Sequence, residues 1–203
     1  MIPNHGDEAA EGQVRISRVD TGRAYWSERP FVPSALRASV ASAAILAVPF
    51  EGFRDYSGPL FPVGTEELLA LVKNRAAVAN LSVEVAIGDH NYHELALHGW
   101  ALQLGQWLAT AVGAPVVAAA IWEYIKSKRT KPAEGETKSK DTVRFALLVE
   151  RVTNDERTVV KLEYDGPAEN AESVMSPIVA RVAKGELPER TESEANPNDN
   201  EPE

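Results

Sequence analysis

The chain contains no cysteine in its 203 residues. A disulfide framework, a thiolate nucleophile and a cysteine-ligated zinc site are therefore excluded. The same absence is typical of proteins of a reducing compartment, so the sequence predicts a cytoplasmic location. The first twelve residues hold three acids, no base and no apolar stretch, and for that reason we expect no secretory signal peptide.

Closely spaced glycines are also lacking, since no two of the thirteen lie within five residues of each other. Dinucleotide fingerprints and phosphate loops need such glycines, because their backbone must approach the phosphates closely. The G-x-S-x-G turn of hydrolases is absent as well. The sequence therefore predicts no cofactor and names no reaction.

An excess of basic residues is missing too. The net charge is −9, and the terminal segments 1–12 and 186–203 carry all of it, so that residues 13–185 are close to neutral. Nucleic-acid binding requires a surplus of Lys and Arg that displaces counterions from phosphates. We therefore expect no nucleic-acid partner.

The polar composition of these termini, with their acids, Pro and Asn, predicts disorder over 1–12 and 186–203. Residues 130–140 mix charges of both signs with Pro and Gly, which is typical of a flexible insert. A single α+β domain is expected over the remaining span, 13–185.

Hydrophobic periodicity predicts the elements of this domain. A short apolar run indicates a strand within 41–48, a helix opens at Thr65, and residues 81–87 alternate as a half-buried strand. Alternation on either side of a turn at 154–156 indicates a β-hairpin. A capped helix follows up to Gly185, which Pro177 is expected to kink or split. With a long helix before the hairpin, the order is β-α-β-α-β-β-α, a small mixed sheet packed around a long apolar central helix.

That central helix is inferred from an uncharged run over 100–122, which allows two interpretations. The run is long enough to cross a bilayer, has Trp at both ends and precedes the bases Lys126, Lys128, Arg129 and Lys131, as in a single-pass membrane protein. A helix that is apolar all round is equally suited to the centre of a soluble core. The bases can contact anionic lipid, or they can be the solvated end of a helix.

Four small residues within this run recur at spacings of four: Ala101, Gly105, Ala109 and Gly113. On a helix they would form a ridge that lets a second helix approach closely. The ridge predicts an interaction surface for a protein partner or for a second copy of the chain, whereas Ala-rich helices also produce such spacing by chance.

Three of the four histidines lie close together in the sequence, near acids. Imidazole and carboxylate groups can bind zinc or act as acid and base, so the candidate metal or catalytic residues are His90, His93, Glu94 and His98. Their spacing matches neither of the zinc signatures H-E-x-x-H and H-x-x-E-H, and the polar residues of this stretch are also those that cap a helix.

The layout of an apolar Gly/Ala-rich helix that ends in Trp and bases (105–129), followed by a hairpin and a capped helix (143–185), resembles the effector-associated constant component domains of bacterial conflict systems. This resemblance implies a small non-catalytic adaptor and carries over no site residue. The favoured hypothesis is accordingly a protein-interaction module. The alternatives are a single-pass membrane protein that spans at 100–122 and a metal-dependent hydrolase.

Overall fold

The computed structural model describes residues 12–52, 56, 58–88, 91–95, 101–129 and 142–186. The segments predicted to be disordered or flexible, 1–12, 130–140 and 186–203, lie outside these residues except for Gly12 and Glu186. The predictions made for them therefore stay predictions.

The fold is α+β, as the sequence predicts. The strands are β1 (Gln13–Val19), β2 (Ile45–Val48), β3 (Phe61–Pro62), β4 (Val83–Val85), β5 (Glu94–Leu95), β6 (Ala101–Thr110), β7 (Thr142–Thr153) and β8 (Glu156–Pro167). The helices are α1 (Arg23–Ser27), α2 (Arg37–Ser42), α3 (Thr65–Val78), α4 (Gly113–Lys128) and α5 (Ala168–Lys184), and a 3-10 turn, Ser34–Leu36, precedes α2.

Six strands form one mixed sheet in the order β1-β8-β7-β6-β2-β4, and β3 pairs with β5 beside it. Strands β6 and β7 run parallel around α4, and β2 and β4 run parallel around α3, so each helix belongs to a β-α-β unit. The remaining pairs of the six-stranded sheet are antiparallel. The hairpin predicted for the C-terminal half is confirmed as β7 and β8.

Both faces of the sheet carry apolar side chains that pack against other segments, which makes a three-layer arrangement. One face packs against α3, α4 and α5 in the larger core. The other face packs against the segment from α1 to α2 in a smaller core that contains Trp26, Val40, Leu108 and Leu148. This second layer covers only part of its face.

A buried ion cluster attaches the N-terminal layer to β7. The carboxylate of Glu150 accepts hydrogen bonds from the Arg23 backbone N–H (2.8 Å), Nε (3.1 Å) and Nη2 (3.3 Å), while Arg23 Nη1 donates to the Ala43 carbonyl (3.0 Å). Arg157 lies 3.7 Å from the other side of the carboxylate. The Glu150 side chain is fully buried. The hydrogen bonds and ion pairs with these partners offset the free-energy cost of burying its charge.

The uncharged run over 100–122 is not one helix, and this part of the prediction is wrong. Residues 101–110 form β6, between β7 and β2, and only the second half of the run belongs to α4. A strand buried on both faces is apolar without a clear alternation, so its pattern resembles that of a buried helix. Pro115 lies in the first turn of α4, where its missing N–H has no intrahelical partner to lose.

No helix within the described residues is long and apolar enough to cross a membrane. The single-pass interpretation was based on a helix over 100–122, which the strand β6 replaces. The central apolar helix of the predicted fold is the shorter α4, which packs against both α3 and α5.

Gly105 lies at a β-bulge of β6 rather than on a helix ridge. The pairing with β7 shifts between Gln103 and Gln106, so that two residues of β6 oppose one residue of β7. Gly105 has φ +74°, which lies in the left-handed region. A glycine accommodates this conformation at no steric cost, and a left-handed glycine is typical of one class of bulge.

We expect Gly105→Ala to lower the free energy of unfolding by about 1–2 kcal/mol, the cost of the left-handed conformation for an L-residue. The nearest atom to an added Cβ is Pro62 Cδ at 3.4 Å, an ordinary contact, so sterics contribute little. Gly105→Asn should cost less, because Asn enters this region more readily. Urea denaturation of the two variants measures the difference, and an Ala variant as stable as the parent would contradict the bulge.

The hairpin and the helix that follows it match their local signals. Asn154 and Asp155 both have positive φ, as a two-residue type I′ turn requires, and Gly185 ends α5 with φ +92°. Pro177 was expected to kink or split this helix; it does not split it, because α5 continues to Lys184, and the kink stays a prediction. Pro177 lies on the exposed side, where water can bond to the Ser173 carbonyl that the proline leaves without a donor.

Candidate interaction surface

The uncovered part of the second sheet face carries polar side chains. Strand register aligns them in two rows across the sheet: Gln13, Asp165, Arg144 and Gln103 in the first, then Arg15, Glu163 and Gln106 in the second. Ala146 completes the second row between Glu163 and Gln106, and its side chain is buried at the margin of the smaller core. Most of these side chains are exposed or half-buried. We call this surface, formed by these eight residues, the open face.

Ion pairs neutralise most of the charges on the open face. The Arg144 guanidinium pairs with Asp165, with Nε 2.9 Å from the carboxylate, and Lys161 Nζ lies 2.8 Å from Glu163. Because both carboxylates already have a base, Arg15 is the remaining charge of the face. Within the described part of the chain, Arg15 forms no ion pair.

A groove of about 340 Å³ crosses the open face. Phe50 and Gly105 lie along it together with the amides of Gln103 and Gln106. The groove is therefore lined by hydrogen-bond donors and acceptors as well as by an aromatic ring. Gln13 and Arg15 also line it, so the groove reaches β1, the strand at the edge of the sheet.

Strand β1 presents a long free edge. All seven of its residues pair with β8 on one side, and no strand of the described residues pairs with its other side. Residues 15–18 are consecutively exposed, and Ile16 keeps 40% of its surface accessible. The opposite edge, β4, is only three residues long. Short strands offer little for another chain to pair with, whereas a seven-residue edge exposes a row of unpaired N–H and C=O groups.

The predicted histidine site is not assembled by the residues that the structure describes. His93 is exposed, and Glu94 caps α3 by accepting hydrogen bonds from the Gly64 N–H (3.2 Å) and the Glu66 N–H (3.0 Å). His90 and His98 lie outside the described residues. Among the described residues, no three His, Asp or Glu side chains gather in a way that could hold a metal ion.

The predicted helix ridge does not exist as a helix surface. Ala101, Gly105 and Ala109 belong to β6, and Gly113 is the first residue of α4. Ala109 is buried in the larger core, and a Cβ on Gly113 would approach the Ala44 carbonyl oxygen to 2.8 Å. Both residues are therefore enclosed by the chain's own strands, and another helix has no access to them.

The basic run at the end of α4 is paired within the fold. Lys126 Nζ lies 2.6 Å from Glu172, Lys128 Nζ lies 2.5 Å from Glu67, and Arg129 lies 3.8 Å from Glu169. These acids come from the neighbouring helices α3 and α5. The bases therefore contribute little net charge to a surface for lipid or nucleic acid, although Lys131 lies outside the described residues.

Sequence reasoning missed β1, the strand that carries the candidate surface. Val14 and Ile16 alternate with Gln13, Arg15 and Ser17, which is the period-2 signal of a strand. The signal was available over five residues, but Arg18 interrupts it where the next apolar residue is expected.

Comparisons with protein-family models, with curated proteins and with solved structures find no match. The resemblance to effector-associated constant component domains therefore stays a prediction.

Proposed function

We propose that this chain is a non-catalytic protein-interaction module of the adaptor type, which binds an extended segment of a partner protein along the free edge of β1. The observation that carries the proposal is the seven-residue outer edge of β1, unpaired by any strand of the described residues. A peptide that adds a strand to such an edge gains main-chain hydrogen bonds, and neighbouring side chains select its sequence.

The roles of the carboxylates support an interaction module over a hydrolase. Glu94 caps a helix, Glu150 holds Arg23, and Asp165 and Glu163 each pair with a base. A general acid or base needs a carboxyl group that is free to exchange a proton with a substrate. Each of these four groups instead has a structural partner.

The cytoplasmic location predicted above belongs to the same proposal. The absence of cysteine suits a reducing compartment. The implied adaptor role, taken from the resemblance to effector-associated constant component domains, suits a module that docks a segment of a larger effector protein. Self-association, which the helix ridge predicted, has lost that geometric basis.

Two proline variants of β1 test the proposal. Neighbouring residues of a strand direct their N–H groups to opposite sides. Ile16→Pro and Ser17→Pro therefore remove N–H groups on opposite sides of β1. One removes an N–H bonded to β8 and destabilises the fold, whereas the other removes an outward N–H and leaves stability nearly unchanged. The stable variant, identified by urea denaturation, blocks the edge for an incoming strand.

Peptides selected from a random display library on the full chain should bind the stable proline variant at least about tenfold more weakly than the parent, a loss of about 1.4 kcal/mol. The exposed substitution Val152→Ala, away from the free edge, is the matched control and should leave their affinity unchanged. Equal affinity for the parent and the proline variant would contradict docking at β1, and so would a selection that yields no binder.

A further inference from the structure

The free edge of β1 carries positive charge on both faces of the sheet. Arg15 lies on the open face, and Arg18 lies on the opposite face, in register with Val160 of β8. Both side chains are exposed, and no acid occurs between Gln13 and Val19. Among the described residues, neither arginine has a carboxylate partner within ion-pair distance.

The carboxylate nearest in register does not neutralise Arg15. Glu163 is the residue of β8 opposite Arg15, but its Oε1 is held by Lys161 at 2.8 Å. The next acid of that strand, Asp165, pairs with Arg144. Among the described residues, the edge therefore has a local excess of positive charge, although the chain as a whole carries −9.

A second copy of the chain is a poor occupant of this edge. A symmetric antiparallel pairing of two β1 strands can be centred on Arg15, Ile16, Ser17 or Arg18. In each of these registers, two copies of the same arginine come to lie either directly opposite or diagonally across the strands. Like charges in these positions destabilise a strand pair, and charged residues on an edge commonly prevent self-pairing.

We propose that the occupant of the β1 edge is an acidic extended segment of a partner protein, an inference that rests on the proposed function. Consider a partner segment that pairs with β1 in the antiparallel direction. Along that segment, the residue opposite Arg18 comes first, the residue opposite Ile16 comes two positions later, and the residue opposite Arg15 comes directly after it. The matching segment thus has the pattern acid, any residue, apolar residue, acid. The acids pair with the two arginines on opposite faces, and the apolar side chain covers Ile16, which is 40% exposed.

Fluorescence anisotropy with labelled synthetic peptides and the full chain tests the pattern. The probes are a peptide with Glu at both acidic positions and Val at the apolar one, its reversed sequence for a parallel strand, and the same two peptides with Lys in place of Glu. An exposed ion pair contributes about 0.2–1 kcal/mol, so Arg15→Ala and Arg18→Ala should each weaken binding of the Glu peptide by a factor of about 1.4 to 5.

Reversing the charge of both arginines is the decisive part of the experiment. The Arg15→Glu, Arg18→Glu double variant should bind the Glu peptide at least about tenfold more weakly than the parent, and it should prefer the Lys peptide. The advantage of the Glu peptide over the Lys peptide should shrink as salt rises. Glu peptides that are N-methylated on every second amide keep their charges. Of the two possible sets of amides, methylation of the set that would hydrogen-bond to β1 should abolish binding.

The outcomes separate this inference from the proposed function. Library-selected peptides that depend on the β1 edge but show no acidic preference would overturn the inference and leave the proposed function standing. Glu peptides that bind the stable proline variant as tightly as the parent would overturn the inference, and library-selected peptides that do the same would overturn the proposed function as well. Concentration-dependent dimers in light scattering that the proline variant loses would identify a second copy as the occupant and overturn the acidic partner.

Discussion

The Glu150→Ala substitution is expected to lower the free energy of unfolding by about 3–5 kcal/mol, because it leaves a largely buried arginine without its carboxylate. The Glu150 side chain is fully buried, and the Arg23 side chain is 15% exposed. Three donors of Arg23 lose their acceptor at once. Chemical denaturation followed by circular dichroism measures the loss, with midpoints compared at a constant denaturant slope.

Two further variants show whether the loss comes from the buried pair. Arg157→Ala removes a partner that is 58% exposed and 3.7 Å away, so we expect a loss below about 1 kcal/mol. The double variant Arg23→Met, Glu150→Leu should recover most of the stability, since apolar replacements of a buried ion pair leave no unpaired charge. A Glu150→Ala variant no less stable than Arg157→Ala would contradict the cluster.

Trp107→Ala should likewise lower the free energy of unfolding by about 3–5 kcal/mol, the range for deleting a buried tryptophan. Trp107 has no exposed surface, and its Nε1 donates a hydrogen bond to the Leu104 carbonyl at 2.9 Å. It lies in register with Ala47 of β2 on one side and Leu147 of β7 on the other. Equilibrium unfolding in guanidinium measures the effect.

The control for Trp107 is Val78→Ala, a truncation at a side chain that is 92% exposed, for which we expect a change within about 0.5 kcal/mol. A double-mutant cycle between Trp107 and Leu147 should show coupling of about 0.5–3 kcal/mol, as residues in contact do. Additive effects of the two substitutions would contradict the pairing of β6 with β7 on which the whole sheet depends.

The C-terminal half of the fold is predictable because its signals are local. The turn at Asn154 and Asp155 joins two alternating strands that are neighbours in sequence as well as in the sheet. Helix α5 begins after Pro167 and ends at Gly185 with positive φ, positions that depend on nearby residues only. Pattern and structure agree there because no distant contact is needed to decide between helix and strand.

The centre of the sheet is not predictable in the same way. Residues 101–110 become a strand because β2 and β7 flank them, and these partners are distant in the sequence. Burial on both faces removes the alternation that identifies a strand. Pro115, which lies in the first turn of a helix, was the local signal that α4 begins near Gly113.

The candidate surface could not be predicted from the sequence for a related reason. Arg15 and Arg18 look like two bases in a short, irregular stretch until β8 pairs with that stretch, whose other side no strand of the described residues covers. The open face is likewise assembled by register across β1, β8, β7 and β6. Sequence reasoning instead singled out local clusters, such as His93 and Glu94, as the alternative site. In the fold, His93 is exposed and Glu94 caps a helix.

Residue-resolved hydrogen exchange of the β1 amides, with and without the acidic peptide, tests docking at the β1 edge most directly. Without the peptide, we expect one alternate set of amides between Gln13 and Val19 to be protected by β8 and the other set to exchange freely. With the peptide, the second set should become protected. If that set is already protected, or stays exposed while another part of the chain gains protection, β1 is not the docking edge.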